Sequence, residues 1–149
     1  MIERSLFLLS KITPPPVLVR REEPKPRRAS GRMRILVVDD EYLITDTMCA
    51  ILNENGFEAV AAYNGLDAIE AARKLRPDVV LSDVLMHRMS GVEFGIKLLK
   101  EFPETKIILF SGQAATSEMI HRAEAEGYFF ELIPKPIHPD ELMARLRSL

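Results

Sequence analysis

The 149-residue chain holds one cysteine, Cys49, and therefore closes no internal disulfide. Disulfide-dependent extracellular scaffolds are excluded, a reducing compartment fits, and the cytoplasm is the expected location. Long apolar runs are also missing. The strongly apolar stretch near the start, Leu6-Phe7-Leu8-Leu9, is too short for a signal-peptide core or a membrane span, so no membrane insertion is expected. No internal repeat at solenoid spacing is visible. What remains is ordinary for a globular protein, with 47% hydrophobic and 28% charged residues in a length that supports one domain with a real core.

The small net charge of −2 conceals an asymmetry. Residues 1–32 carry eight Lys/Arg against three Glu, a balance of +5, which leaves 12 Lys/Arg against 19 Asp/Glu, or −7, for the rest. That first segment contains Pro14-Pro15-Pro16, Pro24 and Pro26 and shows no helical or strand period beyond its short apolar start. It reads as a disordered or polyproline-like extension in front of a domain spanning residues 33–149. A basic, proline-rich arm suits nucleic acid or an anionic membrane surface, but an inert tail is the plainer reading and nucleic acid is not expected as a partner. Met33-Arg34 followed by Ile35-Leu36-Val37-Val38 also reads as the opening of a compact domain, so Met33 as the true start stays open.

From residue 34 strand-like and helix-like segments alternate. Residues 35–38 are an apolar strand, and 41–54 place Leu43, Ile44, Thr47, Met48, Ile51 and Leu52 at helical spacing. Asn55-Gly56 ends that helix, with glycine just past it. Residues 57–62 form a strand, and Asn64 caps a helix that runs to about Leu75 and is broken by Arg76-Pro77. Strands are expected at 79–81, 106–110 and 128–133, and helices at 91–102, 114–126 and 139–149. Five β-α units in regular succession imply an α/β fold, a parallel sheet with helices on both faces.

Four of the expected strands stop on polar groups. Asp39-Asp40-Glu41 closes the first, Asp83 the third, Ser111-Gly112 the fourth and Lys135-Pro136 the fifth. Each has a plain explanation by itself: an N-cap, a turn, a solvated lysine. Jointly they sit at carboxyl ends of strands, where an open parallel sheet forms its ligand crevice. Three crowded carboxylates repel one another unless a cation is present, and Mg2+ is the usual one. Asp39, Asp40 and Asp83 supply the oxygens, Lys135 a mobile point charge and Ser111 a hydroxyl donor; Gly112 keeps the approach open. The set suits transfer of a phosphoryl group to Asp83, giving an aspartyl phosphate.

Val37-Val38-Asp39-Asp40-Glu41, Asp83-Val84-Leu85-Met86 with Met89-Ser90-Gly91, Ser111-Gly112 and Lys135-Pro136 resemble the receiver domain of two-component response regulators, over about residues 33–149. The resemblance implies a flavodoxin-like (βα)5 fold, a three-layer sandwich with strand order 2-1-3-4-5. It also implies phosphorylation of Asp83 by a sensor histidine kinase or phosphotransfer protein. Asp40, Asp83 and the Leu85 backbone carbonyl would then hold Mg2+ directly, and Asp39 through water. Such a protein is a signalling element, with at most self-phosphorylation from a phosphodonor and slow autodephosphorylation. With no output domain expected after the fifth helix, the signal leaves through contact with an unnamed downstream protein or along a phosphorelay. Leu85 and Gln113, each two residues past a site residue, are expected to influence the phosphoryl lifetime.

Two positions depart from that pattern. His87 stands where receivers usually carry proline, and Leu132 lies three residues before Lys135, where many place a switching Tyr or Phe. His87 reads first as a solvated loop residue, with metal ligation or proton donation as the sharper options. His121 and His138 need no role. Pro134 cannot donate to a sheet ladder and fits only if the fifth strand is an edge. The two departures sustain an alternative, a receiver-like interaction domain that does not depend on phosphorylation. A haloacid-dehalogenase-like phosphatase is disfavoured because Leu85 stands where its second Asp belongs, and a flavin site because Asp39-Asp40 would repel the phosphate.

Overall fold

The computed structural model describes residues 31–112 and 117–149. The expected N-terminal extension up to residue 30, Gln113 and the start of the expected fourth helix lie outside the described residues. Ten elements alternate: β1 (Arg34–Val38), α1 (Tyr42–Glu54), β2 (Glu58–Ala62), α2 (Gly65–Leu75), β3 (Val79–Asp83), α3 (Gly91–Glu101), β4 (Lys106–Ser111), α4 (Ser117–Ala125), β5 (Glu131–Pro134) and α5 (Pro139–Arg147). The sheet is wholly parallel in the order β2-β1-β3-β4-β5, as the family resemblance implies.

Strand alternation divides the core in two. Leu36, Val38, Val80 and Leu109 point to one face, where Ala68 and Ala72 of α2, Phe94 and Leu98 of α3 and Ile120 and Ala123 of α4 cover them. Ile35, Val37, Val79, Leu81, Ile108 and Phe110 point to the other, under Cys49 and Leu52 of α1 and Leu142, Met143 and Leu146 of α5. Both faces are sealed, which is why the central strands are nearly continuous apolar runs. Burial raises the Cys49 thiol to about 11, so it packs as a small neutral core residue.

Helix ends follow local chemistry. The Asn64 side chain accepts the Asp67 amide at 2.8 Å and Ser90 accepts that of Glu93 at 3.1 Å, capping α2 and α3. After α1, Asn55 is the C-cap and Gly56 takes φ +89°, as its position in the sequence predicts. His138 has a role that sequence reasoning missed: its Nδ1 accepts the Asp140 amide at 3.2 Å and caps α5.

One expectation is corrected. The fifth strand starts at Glu131, not at Tyr128. The Tyr128 amide instead closes back on the Ala123 carbonyl after Gly127 at φ +91°, and the Phe130 ring packs over Gly95, where a Cβ would come within 2.7 Å of it. The apolar residues of α1 divide between the core and the surface. Thr45, Cys49 and Leu52 are buried, whereas Leu43 and Ile44 are exposed. With Met48 and Ile51 they face Ile137 and Pro139 across an open apolar groove of about 360 Å³.

Gly91 fixes where α3 meets the end of β3. Its amide donates to the Val84 carbonyl at 2.8 Å, and a Cβ there would lie 2.0 Å from the Asp83 carbonyl oxygen, an approach no side chain tolerates. Gly91→Ala must therefore shift backbone. Urea unfolding is expected to show a loss of about 1–3 kcal/mol or more; an unchanged midpoint would remove the claim that this contact sets the loop.

Candidate functional site

β1, β3, β4 and β5 end together on one edge of the sheet, and the expected polar residues end with them. Asp39 follows β1 directly and is 7% exposed. Its Oδ1 accepts the Glu41 amide at 3.1 Å, and its backbone carbonyl accepts the buried Thr45 hydroxyl at 3.1 Å. Thr45 also donates to the Glu41 carbonyl at 2.9 Å, so α1 is tied to the loop from its own first turn. Burial, above all, raises the Asp39 carboxyl above its ordinary value. The Glu41 amide opposes that shift, the Asp83 charge adds to it and Lys135 opposes it.

Asp83 is the last residue of β3. Its Oδ2 lies 2.9 Å from Lys135 Nζ, and its Oδ1 accepts the Leu85 amide at 3.3 Å. The buried Ser82 hydroxyl donates to the Asp83 carbonyl at 3.0 Å, which leaves that carbonyl enclosed between Ser82 and Gly91. Lys135 follows β5; its amide donates to the Ser111 carbonyl at 3.0 Å, so the last bond of the β4–β5 ladder also fixes the lysine. The Lys135–Pro136 peptide is cis. Ser111 ends β4 half-buried, and a side chain on Gly112 would meet only Lys135 Cδ, at 3.9 Å.

Asp40 turns elsewhere. Its Oδ2 accepts the His87 amide at 3.2 Å and lies 3.3 Å from His87 Nδ1. The expected solvated histidine therefore has a partner, although its side chain is 95% exposed. Nothing in the sequence signals a contact between loops 47 residues apart. Sequence reasoning also passed over Thr45 and Ser82, because a hydroxyl within an apolar run carries no pattern of its own.

The edge thus brings Asp39, Asp83 and Lys135 together, with Ser111 joined to Lys135 through the backbone, and holds Asp40 against His87. Among the described residues no three His, Cys, Asp or Glu side chains are gathered closely enough to hold a metal by themselves. The donor chemistry nevertheless fits Mg2+: carboxylate and carbonyl oxygens, with buried Asp39 raised in part by the nearby Asp83 charge that a cation would screen. Among the described residues no helix is long and apolar enough to cross a membrane.

Residues 35–147 match the family model of the response regulator receiver domain. The probable transcriptional regulatory protein TcrX of Mycobacterium tuberculosis is 36% identical over 124 residues, which cover 83% of this chain and 52% of that protein. Response regulator MprA of Mycobacterium avium is 32% identical over 117 residues, 78% of this chain and 50% of MprA. The chain spans about half the length of these relatives. Among solved structures, Vibrio cholerae chemotaxis protein CheY4 aligns with a TM-score of 0.68 at 27% identity, over 78% of this chain and 98% of that one. A two-component transcriptional regulator AraC from Clostridium phytofermentans aligns at 0.64 and 36% identity, over 78% and 90%. Sheet order and sequence agree from β1 to α5, and the chain belongs to the response regulator receiver family of two-component signalling.

Proposed function

We propose that Asp83 accepts a phosphoryl group from a histidine kinase or a phosphotransfer protein, and that the modified domain signals through contact with a downstream protein. The observation that carries this reading is the 2.9 Å contact of Lys135 Nζ with Asp83 Oδ2 beside buried Asp39. The Asp83 carboxyl is held by a cation and keeps part of its side chain open to solvent, as a carboxylate nucleophile requires. In the transfer, a bond forms between an Asp83 carboxylate oxygen and phosphorus. The phosphorus–nitrogen bond of the donor histidine breaks, and the electron pair returns to the imidazole, which takes up a proton.

Asp40, Asp83 and the Leu85 carbonyl would hold Mg2+, with Asp39 acting through water. The cation supplies neutralising charge between carboxylates and the incoming phosphoryl oxygens. Lys135, already over Asp83, exchanges its carboxylate partner for a phosphoryl oxygen, and the Ser111 hydroxyl donates to another. Transfer asks little more of the protein than this positioning. Lys135 is anchored to the β4–β5 ladder, so its exchange biases that edge between two arrangements, which a partner reads. Leu132 on β5 is 44% exposed and offers no aromatic ring for a rotamer switch, so the readout lies in the backbone and in Lys135.

Incubation with acetyl phosphate should give a Mg2+-dependent shift on a phosphate-affinity gel for the wild type and none for Asp83→Asn. A wild type that never shifts would sink phosphorylation and leave the interaction-domain reading. Burying the Asp39 carboxylate, with the Asp83 charge beside it, has a cost that depends on pH. The Asp39 carboxyl is raised from 3.8 in the fold, so folded protein binds that proton more tightly than unfolded protein does. Stability from this group is therefore full below 3.8 and falls as pH rises through the elevated value. In chelator, Asp39→Asn should unfold at higher urea than the wild type at pH 7, and the gap should shrink as pH drops toward 3.8. Equal midpoints at pH 7 would contradict it.

A further inference from the structure

The β3–α3 loop holds one nitrogen donor against an expected magnesium ligand, and it does so with a fixed backbone. The His87 amide donates to Asp40 Oδ2 at 3.2 Å, the His87 carbonyl accepts the Met89 amide at 2.8 Å, and Arg88 between them takes φ +68°. Positive φ in a residue other than glycine is uncommon and marks a loop held by its surroundings. The His87 backbone is thus pinned from both sides, while its side chain is 95% exposed. The ring faces Asp40, whose Oδ2 lies 3.3 Å from Nδ1.

This contact has opposite consequences for two kinds of cation. Mg2+ takes oxygen ligands at about 2.0–2.1 Å and keeps several waters, so an imidazole against Asp40 gives it nothing and must be displaced. Nickel and cobalt ions accept imidazole readily and bind nitrogen-containing sites more tightly than lighter divalent ions do. Two donors about 2.1 Å from one ion at right angles lie roughly 3.0 Å apart, close to the 3.3 Å observed between Asp40 Oδ2 and His87 Nδ1. We infer that His87 sets the cation preference of this site, competing with Mg2+ for Asp40 and joining Asp40 as a nitrogen ligand to Ni2+ or Co2+. The inference rests on the proposed metal-binding role of Asp40. It assigns His87 a role that a proline at this position would lack, since proline offers neither an imidazole nor an amide hydrogen.

The test is calorimetric titration of the full, tag-free chain with Mg2+ and with Ni2+, for the wild type, His87→Ala and Asp40→Ala. His87→Ala keeps the backbone amide on Asp40 and removes only the ring. Mg2+ affinity is expected to rise by about twofold to fivefold, the scale of one exposed polar contact. Ni2+ affinity should fall by about tenfold or more, and the visible absorption of bound Co2+ should lose its nitrogen-ligand character. Affinities for the two ions that move together, or that do not move, overturn the inference while leaving the Mg2+ reading in place. Asp40→Ala separates the two cases: if it leaves Mg2+ binding unchanged, the metal assignment itself fails and the role of His87 with it.

Discussion

Lys135 reaches Asp83 across a strand that lies between them. β3 and β5 are not neighbours, because β4 separates them, so the 2.9 Å contact bridges two strand spacings, roughly 10 Å of backbone. A long, flexible stem is needed for that span, and lysine has one. The pair is partly exposed, with the Lys135 side chain 40% accessible, and on its own it contributes little to stability, about 0–1 kcal/mol. Its importance is in placing charge. Without it, buried Asp39 and half-buried Asp83 would face each other with no cation between them; burial first, and then the Asp83 charge, raise the Asp39 carboxyl, and Lys135 opposes them.

That edge is polar because the central strands β1, β3 and β4 are covered on both faces. α1 and α5 seal one face and α2, α3 and α4 the other. A polar group placed along the central strands would be desolvated without a partner. Polar chemistry is confined to the strand ends, and this confinement is why so much could be read from the chain. β1, β3 and β4 announce themselves as apolar runs such as Ile35-Leu36-Val37-Val38, and each run stops on the residue that enters the site. The order of the strands came from the family resemblance, since alternation alone fixes a parallel sheet and not its sequence of neighbours.

Legibility fails where structure depends on contacts between distant segments. Tyr128-Phe129-Phe130 has strong strand propensity, but Gly127 turns the chain and Gly95 opens a slot for the Phe130 ring, so these residues cross to the edge without pairing. β5 is four residues long and only half-buried, and its pattern is correspondingly weak. In α1 the helical period is legible, but it does not tell which apolar residues meet the core, and Leu43 and Ile44 line a groove instead. The His87–Asp40 contact had no signal at all. A pair of loop residues 47 apart leaves no trace in composition or period, although each residue was singled out separately.

The edge is therefore held by two latches with different anchors. Lys135 is bound through its amide to the β4–β5 ladder, and His87 through its amide to Asp40 and its carbonyl to the turn before α3. A ligand that draws on Lys135 pulls against a short edge strand with one neighbour, where displacement is least costly. One that draws on Asp40 pulls against a loop fixed by left-handed Arg88 and, through Gly91, by the close packing of α3 on the end of β3. The two sides differ in stiffness, so occupancy of the same small site acts unequally on them. On the proposed reading, a phosphoryl group on Asp83 would draw on Lys135 and so act first on the short edge strand β5 and its one neighbour, β4.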